Sequence, residues 1–110
     1  MKVSEYQKKV LSTASPMITK DKNSMFLNGA LGMCGESGEV ADIIKKHTFQ
    51  GHDLNTDKIR EEAGDVLWYI AIICEALGIT IEELMEDNIR KLSARYPEGF
   101  SVDKSVNREG

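Results

Sequence analysis

The chain has 110 residues, of which 41% are hydrophobic and 29% charged, and these values are typical of a single soluble domain. Its net charge of −4 argues against a stable nucleic-acid partner, because binding to a polyanion depends on clustered Lys and Arg. The N-terminal residues lack the apolar core of a signal peptide, and no stretch approaches the roughly 20 apolar residues of a membrane span. We therefore expect a cytoplasmic protein without a membrane partner.

The first predicted element is a helix over residues 3–14, which Ser4 can cap. Residues 15–24 are predicted to form a loop, because Pro16 stands there among polar residues. A second helix is predicted over about residues 24–49, and it is apolar around more than half of its circumference. At 1.5 Å per residue it would be about 39 Å long, which is more than one small protomer can cover. We therefore expect a homodimer, a homotetramer or another assembly.

A third helix is predicted over about residues 55–77, with Gly78 placed to end it in a left-handed conformation. The fourth helix begins with the sequence TIEE, in which Thr80 and Glu83 have the spacing of a capping box. It is expected to stop before Pro97, which cannot continue a helix. These signals are local, so each helix end is predicted from a few neighbouring residues.

The pattern as a whole predicts an all-α fold, a four-helix bundle within residues 1–100 that forms oligomers, followed by a polar C-terminal tail over residues 101–110. The tail is expected to be loose unless a neighbouring subunit holds it.

Cys34 and Cys74 are expected to be reduced and buried, because free cysteines behave as small hydrophobic residues in a cytoplasmic protein.

Two pairs of carboxylates lie on the second and third predicted helices. Glu36 and Glu39 share an apolar-flanked stripe of the second helix, and Glu62 and Asp65 repeat this spacing on the third. The connection between the helices is short, so we expect an antiparallel hairpin that turns near residue 52. Glu39 and Asp65 are each 13 residues from that turn, which predicts that all four carboxylates converge.

Such convergence favours a divalent cation. Two carboxylates about 5 Å apart repel by roughly 3 kcal/mol at an effective dielectric of 20, and a bound cation removes this repulsion. Neither pair ends in His, as a di-iron bundle requires, and the cysteines lack the spacing of a zinc site. An all-oxygen site suits Mg²⁺ or Mn²⁺. The alternative is two solvated helix faces, on which pairs of this spacing are common.

The fourth predicted helix carries polar and basic residues on one face. Asn88, Lys91 and Arg95 share that face with apolar residues that would turn it inward, so the basic pair is interpreted as binding phosphate oxygens. The alternative is that the basic residues complement the dipole of the helix at its C-terminus. Lys58, one turn before Glu62, is a further candidate for a phosphate contact.

The chain resembles the MazG-like nucleotide pyrophosphohydrolases over roughly residues 25–100, in the segments ALGMCGESGEVADIIKK, KIREEAGDVLWYI and NIRKLSARYPEGF. The motif of that family is Glu-x-x-Glu, a spacer, and Glu-x-x-Asp, and here 22 residues separate the two pairs. The resemblance implies an all-α fold whose protomers associate as dimers or tetramers. It also implies Mg²⁺-dependent hydrolysis of a nucleoside triphosphate between the α and β phosphates, giving a monophosphate and pyrophosphate.

The resemblance also implies roles for individual residues. The implied Mg²⁺ ligands and catalytic carboxylates are the four residues of the motif, Glu36, Glu39, Glu62 and Asp65. The implied substrate-binding residues are three cations and two residues of the nucleotide pocket, Lys58, Lys91, Arg95, Tyr69 and Asn88. Glu61 is expected to assist, and one glutamate of the second helix is expected to accept the proton of the attacking water. Gly35 departs from the family pattern, because some relatives carry a further acidic residue there.

Two other functions stay open from the sequence. One is an enzyme similar to phosphoribosyl-ATP pyrophosphohydrolase, which has a related fold, and the other is a catalytically silent metal-binding or interaction bundle.

Gly35 and Gly38 are predicted to let a ligand or a facing helix approach the backbone, since neither carries a side chain. Trp68 lies off the carboxylate stripe, so it is predicted to pack against another subunit rather than to stack on a nucleobase.

Overall fold

A computed structural model describes residues 1–107 of the chain, and these residues form helices and no β-strand. The helices in chain order are α1 Val3–Thr13, α2 Pro16–Thr19, α3 Lys22–Phe49, α4 Thr56–Leu77, α5 Ile81–Arg95 and α6 Val102–Val106. The four longer ones correspond to the four predicted helices, and the all-α class is confirmed. Residues 108–110 of the predicted tail lie outside the described part of the chain.

The sequence prediction of a loop over residues 15–24 is wrong in part. The Ser15 side chain caps α2, and Pro16 occupies the first helical position, where its missing N–H is not needed. Asp21 then caps α3 by accepting a hydrogen bond from the backbone N–H of Ser24, so that helix begins at Lys22. Ser15 and Asp21, two of the polar residues that indicated a loop, are therefore caps of the helices that begin directly after them.

The predictions for the start of α1 and for the C-terminal tail also need correction. Helix α1 begins at Val3 with Lys2 at the N-cap position, where no side chain makes a capping hydrogen bond, so Ser4 lies within the helix. The expected loose tail contains the short helix α6, which Ser101 caps by accepting a hydrogen bond from the backbone N–H of Lys104.

The longest helices, α3 and α4, form the antiparallel hairpin that the sequence predicted. Gly29 of α3 lies against Ile73 of α4, and one turn later Gly32 lies against Tyr69. A Cβ atom at Gly29 would be 2.6 Å from Cδ1 of Ile73, and one at Gly32 would overlap the ring of Tyr69. The two glycines therefore allow the helix axes to approach closely at this point.

Helices α1 and α5 pack against α4 and against each other, and α2 packs against α3. The buried core consists of Val10, Ala71, Ile72, Cys74 and Ile81, from α1, α4 and α5. Gly78 ends α4 with φ of +72°, as predicted, and Thr80 caps α5 by accepting a hydrogen bond from the backbone N–H of Glu83. Across this turn α5 leaves the direction of α4 at 96°.

Two expectations from composition can be compared with the fold. Cys74 is buried as predicted, whereas Cys34 is exposed, because it lies on the side of α3 that faces away from α4. Among residues 1–107, no single helix is both long and apolar enough to cross a membrane, and α4 and α5 meet that criterion only when the bent pair is taken together.

Candidate metal and substrate site

Three carboxylates meet where α3 faces the first half of α4. Glu36 of α3 and Glu62 and Asp65 of α4 each offer an oxygen, and these oxygens lie within 4.8 Å of one another. Glu62 is only 6% exposed, Glu36 is half-buried and Asp65 is exposed. Oxygen ligands about 2.0–2.6 Å from a shared cation have separations of this size, so the three-carboxylate cluster can hold a divalent ion.

The electrostatics of the cluster also fit a cation. The pKa of Glu36 is raised to about 7, first by its hydrogen bond to Glu62, then by desolvation, and then by the charges of Glu62, Asp65 and Glu39. The pKa of Glu62 is lowered, because its carboxylate accepts hydrogen bonds from Glu36 and Lys58. A proton on Glu36 thus reduces the repulsion in the cluster, and a divalent cation would replace it.

Lys58 lies at the edge of the cluster, one turn before Glu62. Its Nζ atom is 3.0 Å from Oε1 of Glu62 and 3.5 Å from Oε1 of Glu61. Both contacts join residues of one helical turn, and Lys58 keeps almost half of its side chain exposed. The structure therefore places Lys58 beside the carboxylates with its ammonium group within reach of solvent, where a phosphate could meet it.

Glu39 lies outside the three-carboxylate cluster, although the sequence predicted that it would be level with Asp65. The contacts of Gly29 and Gly32 with α4 set the register, and one turn further along it is Glu36 that reaches the level of Asp65. Helix α3 ends at Phe49, as predicted, so the difference lies in the register between α3 and α4 and not in the position of the turn. Glu39 is exposed, and it acts on Glu36 through its charge.

The polar face of α5 is not brought to the carboxylates within one protomer. Asn88 and Lys91 are exposed and Arg95 is half-buried. In the described part of the chain, none of the three makes a hydrogen bond or an ion pair with the cluster. The cause is the 96° bend after α4, which directs α5 away from the hairpin.

A cleft of about 240 Å³ opens beside the carboxylates and is lined by Glu36, Asp65, Trp68 and Tyr69. The family resemblance implied that Tyr69 lines a nucleotide pocket; the structure places Tyr69 on this cleft, and its contact with a nucleotide stays a prediction. Trp68 was predicted to pack against another subunit rather than to stack on a nucleobase; within the protomer it lines this cleft, and its indole N–H donates a hydrogen bond to Thr13 of α1. The spacing of three residues between Asp65 and Trp68 could have indicated this position, because such residues are neighbours on a helix surface.

The glycines beside Glu36 face open space. A Cβ atom at Gly35 or at Gly38 would have no neighbour within 4 Å. The prediction that they allow a facing helix to approach is therefore wrong within the protomer, because Gly29 and Gly32 have that role. The prediction that a ligand approaches them remains.

The fold and the site together define an all-α protein with acidic motifs on two facing helices. Comparison with known proteins gives the family, because residues 27–100 match the MazG nucleotide pyrophosphohydrolase domain. The chain belongs to this family. It is 30% identical over 82 residues to the Gene 37 protein of Mycobacterium phage L5, an alignment that covers 71% of this chain and 72% of that protein. No solved structure gives a significant match.

Proposed function

We propose that this protein is a Mg²⁺-dependent nucleoside triphosphate pyrophosphohydrolase, which cleaves the bond between the α and β phosphates to release a monophosphate and pyrophosphate. The observation that carries this proposal is the convergence of Glu36, Glu62 and Asp65 within 4.8 Å, in a chain that belongs to the MazG family. Mn²⁺ is the second cation that suits the same oxygen donors.

The three-carboxylate cluster would hold the cation, and Glu39, one turn along α3, would act as an outer member of the motif. When bound, the cation would neutralise charge on phosphate oxygens and lower the pKa of a water molecule. Because Glu39 lies outside the cluster, its carboxylate is free to accept a proton, and we assign it the role of general base.

Substrate contacts would come from two directions. Lys58 and Tyr69 lie beside the cluster, so they would contact the nucleotide from the same protomer. Asn88, Lys91 and Arg95 are directed away from it by the bend after α4. We therefore propose a homodimer or homotetramer in which these α5 residues bind phosphates held by another protomer.

The test is to incubate the purified protein with Mg²⁺ and a panel of nucleoside triphosphates, including phosphoribosyl-ATP, and to identify the products. We expect a monophosphate and pyrophosphate. We expect Glu62→Gln to lose about 100-fold or more in kcat, because even the outer partners of metal ligands contribute about 10- to 100-fold. Glu86→Gln on the exposed side of α5 is the matched control and keeps the activity. Release of a diphosphate and orthophosphate would overturn the proposed bond cleavage.

The same panel distinguishes the alternatives. Turnover of phosphoribosyl-ATP alone would favour the related histidine-pathway type of enzyme. Binding of Mg²⁺ by the folded protein without turnover of any nucleotide would favour a silent metal-binding bundle. Either result would contradict a general nucleoside triphosphate pyrophosphohydrolase.

A further inference from the structure

Trp68 occupies a position that the carboxylate site does not explain. One part of its side chain packs against the buried core, and another part lines the cleft beside Glu36 and Asp65. Its ring meets that of Tyr69 edge to face, with the ring centroids 5.1 Å apart and an angle of 83° between the planes. A large aromatic surface thus stands directly next to the groups that would hold phosphates.

Both rings are held in place by contacts outside the cleft. The indole N–H of Trp68 donates a hydrogen bond of 2.9 Å to Oγ1 of Thr13, the last residue of α1. The hydroxyl of Thr13 in turn donates to the backbone carbonyl of Val10, also at 2.9 Å. Tyr69 lies against the bare backbone of Gly32, where a Cβ atom would overlap its ring. The aromatic wall is therefore preorganised, and α1 contributes to it although it lies outside the matched residues 27–100.

We propose that Trp68 is the platform on which the base of the substrate stacks, and that Thr13 is a positioning residue that orients the indole. This inference rests on the proposed function, since it places the phosphates at the carboxylates and the base at the aromatic wall. Stacking uses the π face that every base has, so this contact would tolerate different bases. The substrate class is then nucleoside triphosphates with limited discrimination among bases at this wall.

The direct test uses the emission of Trp68, which is the only tryptophan of the chain. A nucleoside triphosphate analogue with a non-hydrolysable α,β linkage is titrated into the full-length protein with Mg²⁺, and we expect saturable quenching. Inorganic tripolyphosphate with Mg²⁺ carries similar charge without a base, and we expect it to leave the emission unchanged. Equal quenching by both compounds, or quenching by neither, would overturn the platform.

Variants separate stacking from a merely structural role. We expect Trp68→Leu to raise KM about tenfold or more while kcat changes less, because stacking on an aromatic side chain contributes that much to affinity. Trp68→Phe keeps a π face and should restore most of the affinity, and Thr13→Val should give an intermediate KM. Phe49→Leu is the matched control, because Phe49 is an exposed aromatic residue at the end of α3, and this variant should keep the KM of the wild type.

The outcomes distinguish this inference from the function on which it rests. Hydrolysis by the wild type together with an unchanged KM in Trp68→Leu would overturn the platform and leave the enzyme assignment intact. Saturable quenching by the analogue without any hydrolysis would support the platform and contradict the enzyme assignment. If Trp68→Leu does not fold, Trp68→Phe, Thr13→Val and the quenching of the wild type still decide the question.

Discussion

A proton on Glu36 takes the place that a cation would have among the carboxylates. Glu36 faces Glu62 and Asp65 of α4 and has Glu39 one turn away on its own helix, while Lys58 approaches Glu62 from the edge of the site. Because the hydrogen bond to Glu62 forms only when one of the two groups is protonated, the pKa of Glu36 rises to about 7 and that of Glu62 falls. We therefore expect the metal-free site to change its protonation near neutral pH.

This shift predicts how stability depends on pH in the absence of metal. A carboxyl group whose pKa is raised in the folded state contributes stability below its ordinary pKa of 4.5, and that stability is lost as the pH rises through about 7. With a chelator present, we therefore expect the melting temperature to fall between about pH 5 and about pH 8. Added Mg²⁺ should reverse much of this fall, since it binds only the folded site.

The variant Glu36→Gln isolates the contribution of Glu36 to this pH dependence, because glutamine cannot ionise. We expect this variant to lose most of the pH dependence in chelator and to lose the stabilisation by Mg²⁺. Glu86→Gln, at an exposed position on α5, is the control and should behave like the wild type. A wild-type melting temperature that is constant over this range of pH would contradict the assigned pKa.

At the scale of helices, the close contact between α3 and α4 depends on glycines that the sequence alone does not distinguish from others. A Cβ atom at Gly29 would lie 2.6 Å from Ile73 and 3.2 Å from the carbonyl oxygen of Tyr69, whereas one at Gly35 would contact nothing. We expect Gly29→Ala to lower the free energy of unfolding by about 1–3 kcal/mol, because overpacking displaces backbone. Gly35→Ala should raise it by up to about 1 kcal/mol through helix propensity.

Urea unfolding of the two variants measures both effects. Since the chemical change is the same, Gly35→Ala is the control for Gly29→Ala. Equal changes of the same sign would show that the close contact at Gly29 is not formed. A loss of stability in Gly35→Ala would instead show that another molecule covers that face of α3.

The angle between α4 and α5 is held by one buried amide. Gln7 of α1 donates hydrogen bonds to Oε1 of Glu75 at 2.9 Å and to the carbonyl oxygen of Ile79 at 3.1 Å. Its own Oε1 accepts a hydrogen bond of 2.9 Å from the backbone N–H of Ile81, at the start of α5. This side chain is 8% exposed, so its partners would lose these bonds in a site with little water.

We therefore expect Gln7→Ala to lower the free energy of unfolding by about 1–3 kcal/mol, the usual effect of leaving buried polar groups without partners. Chemical denaturation measures the change, and Ser12→Ala on the exposed side of α1 serves as the control. An unchanged stability would contradict the role of Gln7 as the link between α1 and the α4–α5 turn.

At the scale of the whole molecule, an apolar face of α3 has no partner within the described part of the protomer. Leu27 is 63% exposed and Leu31 is 70% exposed, and the exposed Cys34 continues the same face. On α5, Met85 and Ile89 are also largely exposed. Together with the α5 cations that do not reach the carboxylates, these surfaces support the proposed assembly of protomers.

For this assembly we predict that sedimentation shows a dimer or tetramer at micromolar concentration. Leu31→Glu should shift the protein toward the monomer, because it introduces a charge into an apolar contact, and it should reduce kcat/KM if α5 serves another protomer. Leu54→Glu in the α3–α4 loop is the control and should leave the assembly unchanged. A wild-type protein that sediments as a monomer would contradict the proposal.

Much of the fold could be predicted because its signals are local. Thr80 caps α5 and Gly78 ends α4 as their neighbouring residues indicated, since a cap depends on hydrogen bonds within a few residues. The spacing of Glu36 and Glu39 likewise placed both on one stripe of α3. The prediction of a loop over residues 15–24 failed because the same residue types occur in two kinds of local structure. Ser15 and Asp21 are such residues, because Ser and Asp are common both in loops and at the N-cap positions of helices.

The sequence by itself determined that acidic residues would face each other across a helical hairpin, because helical periodicity fixes which side chains share a face. Only the tertiary structure decided which of them meet. Glu36 lies level with Asp65 because glycines of α3 pack against Tyr69 and Ile73 of α4. The orientation of Trp68 depends on its hydrogen bond to Thr13, which is 55 residues away in the chain. Such contacts arise when the surfaces of distant helices interdigitate, and no local pattern encodes their register.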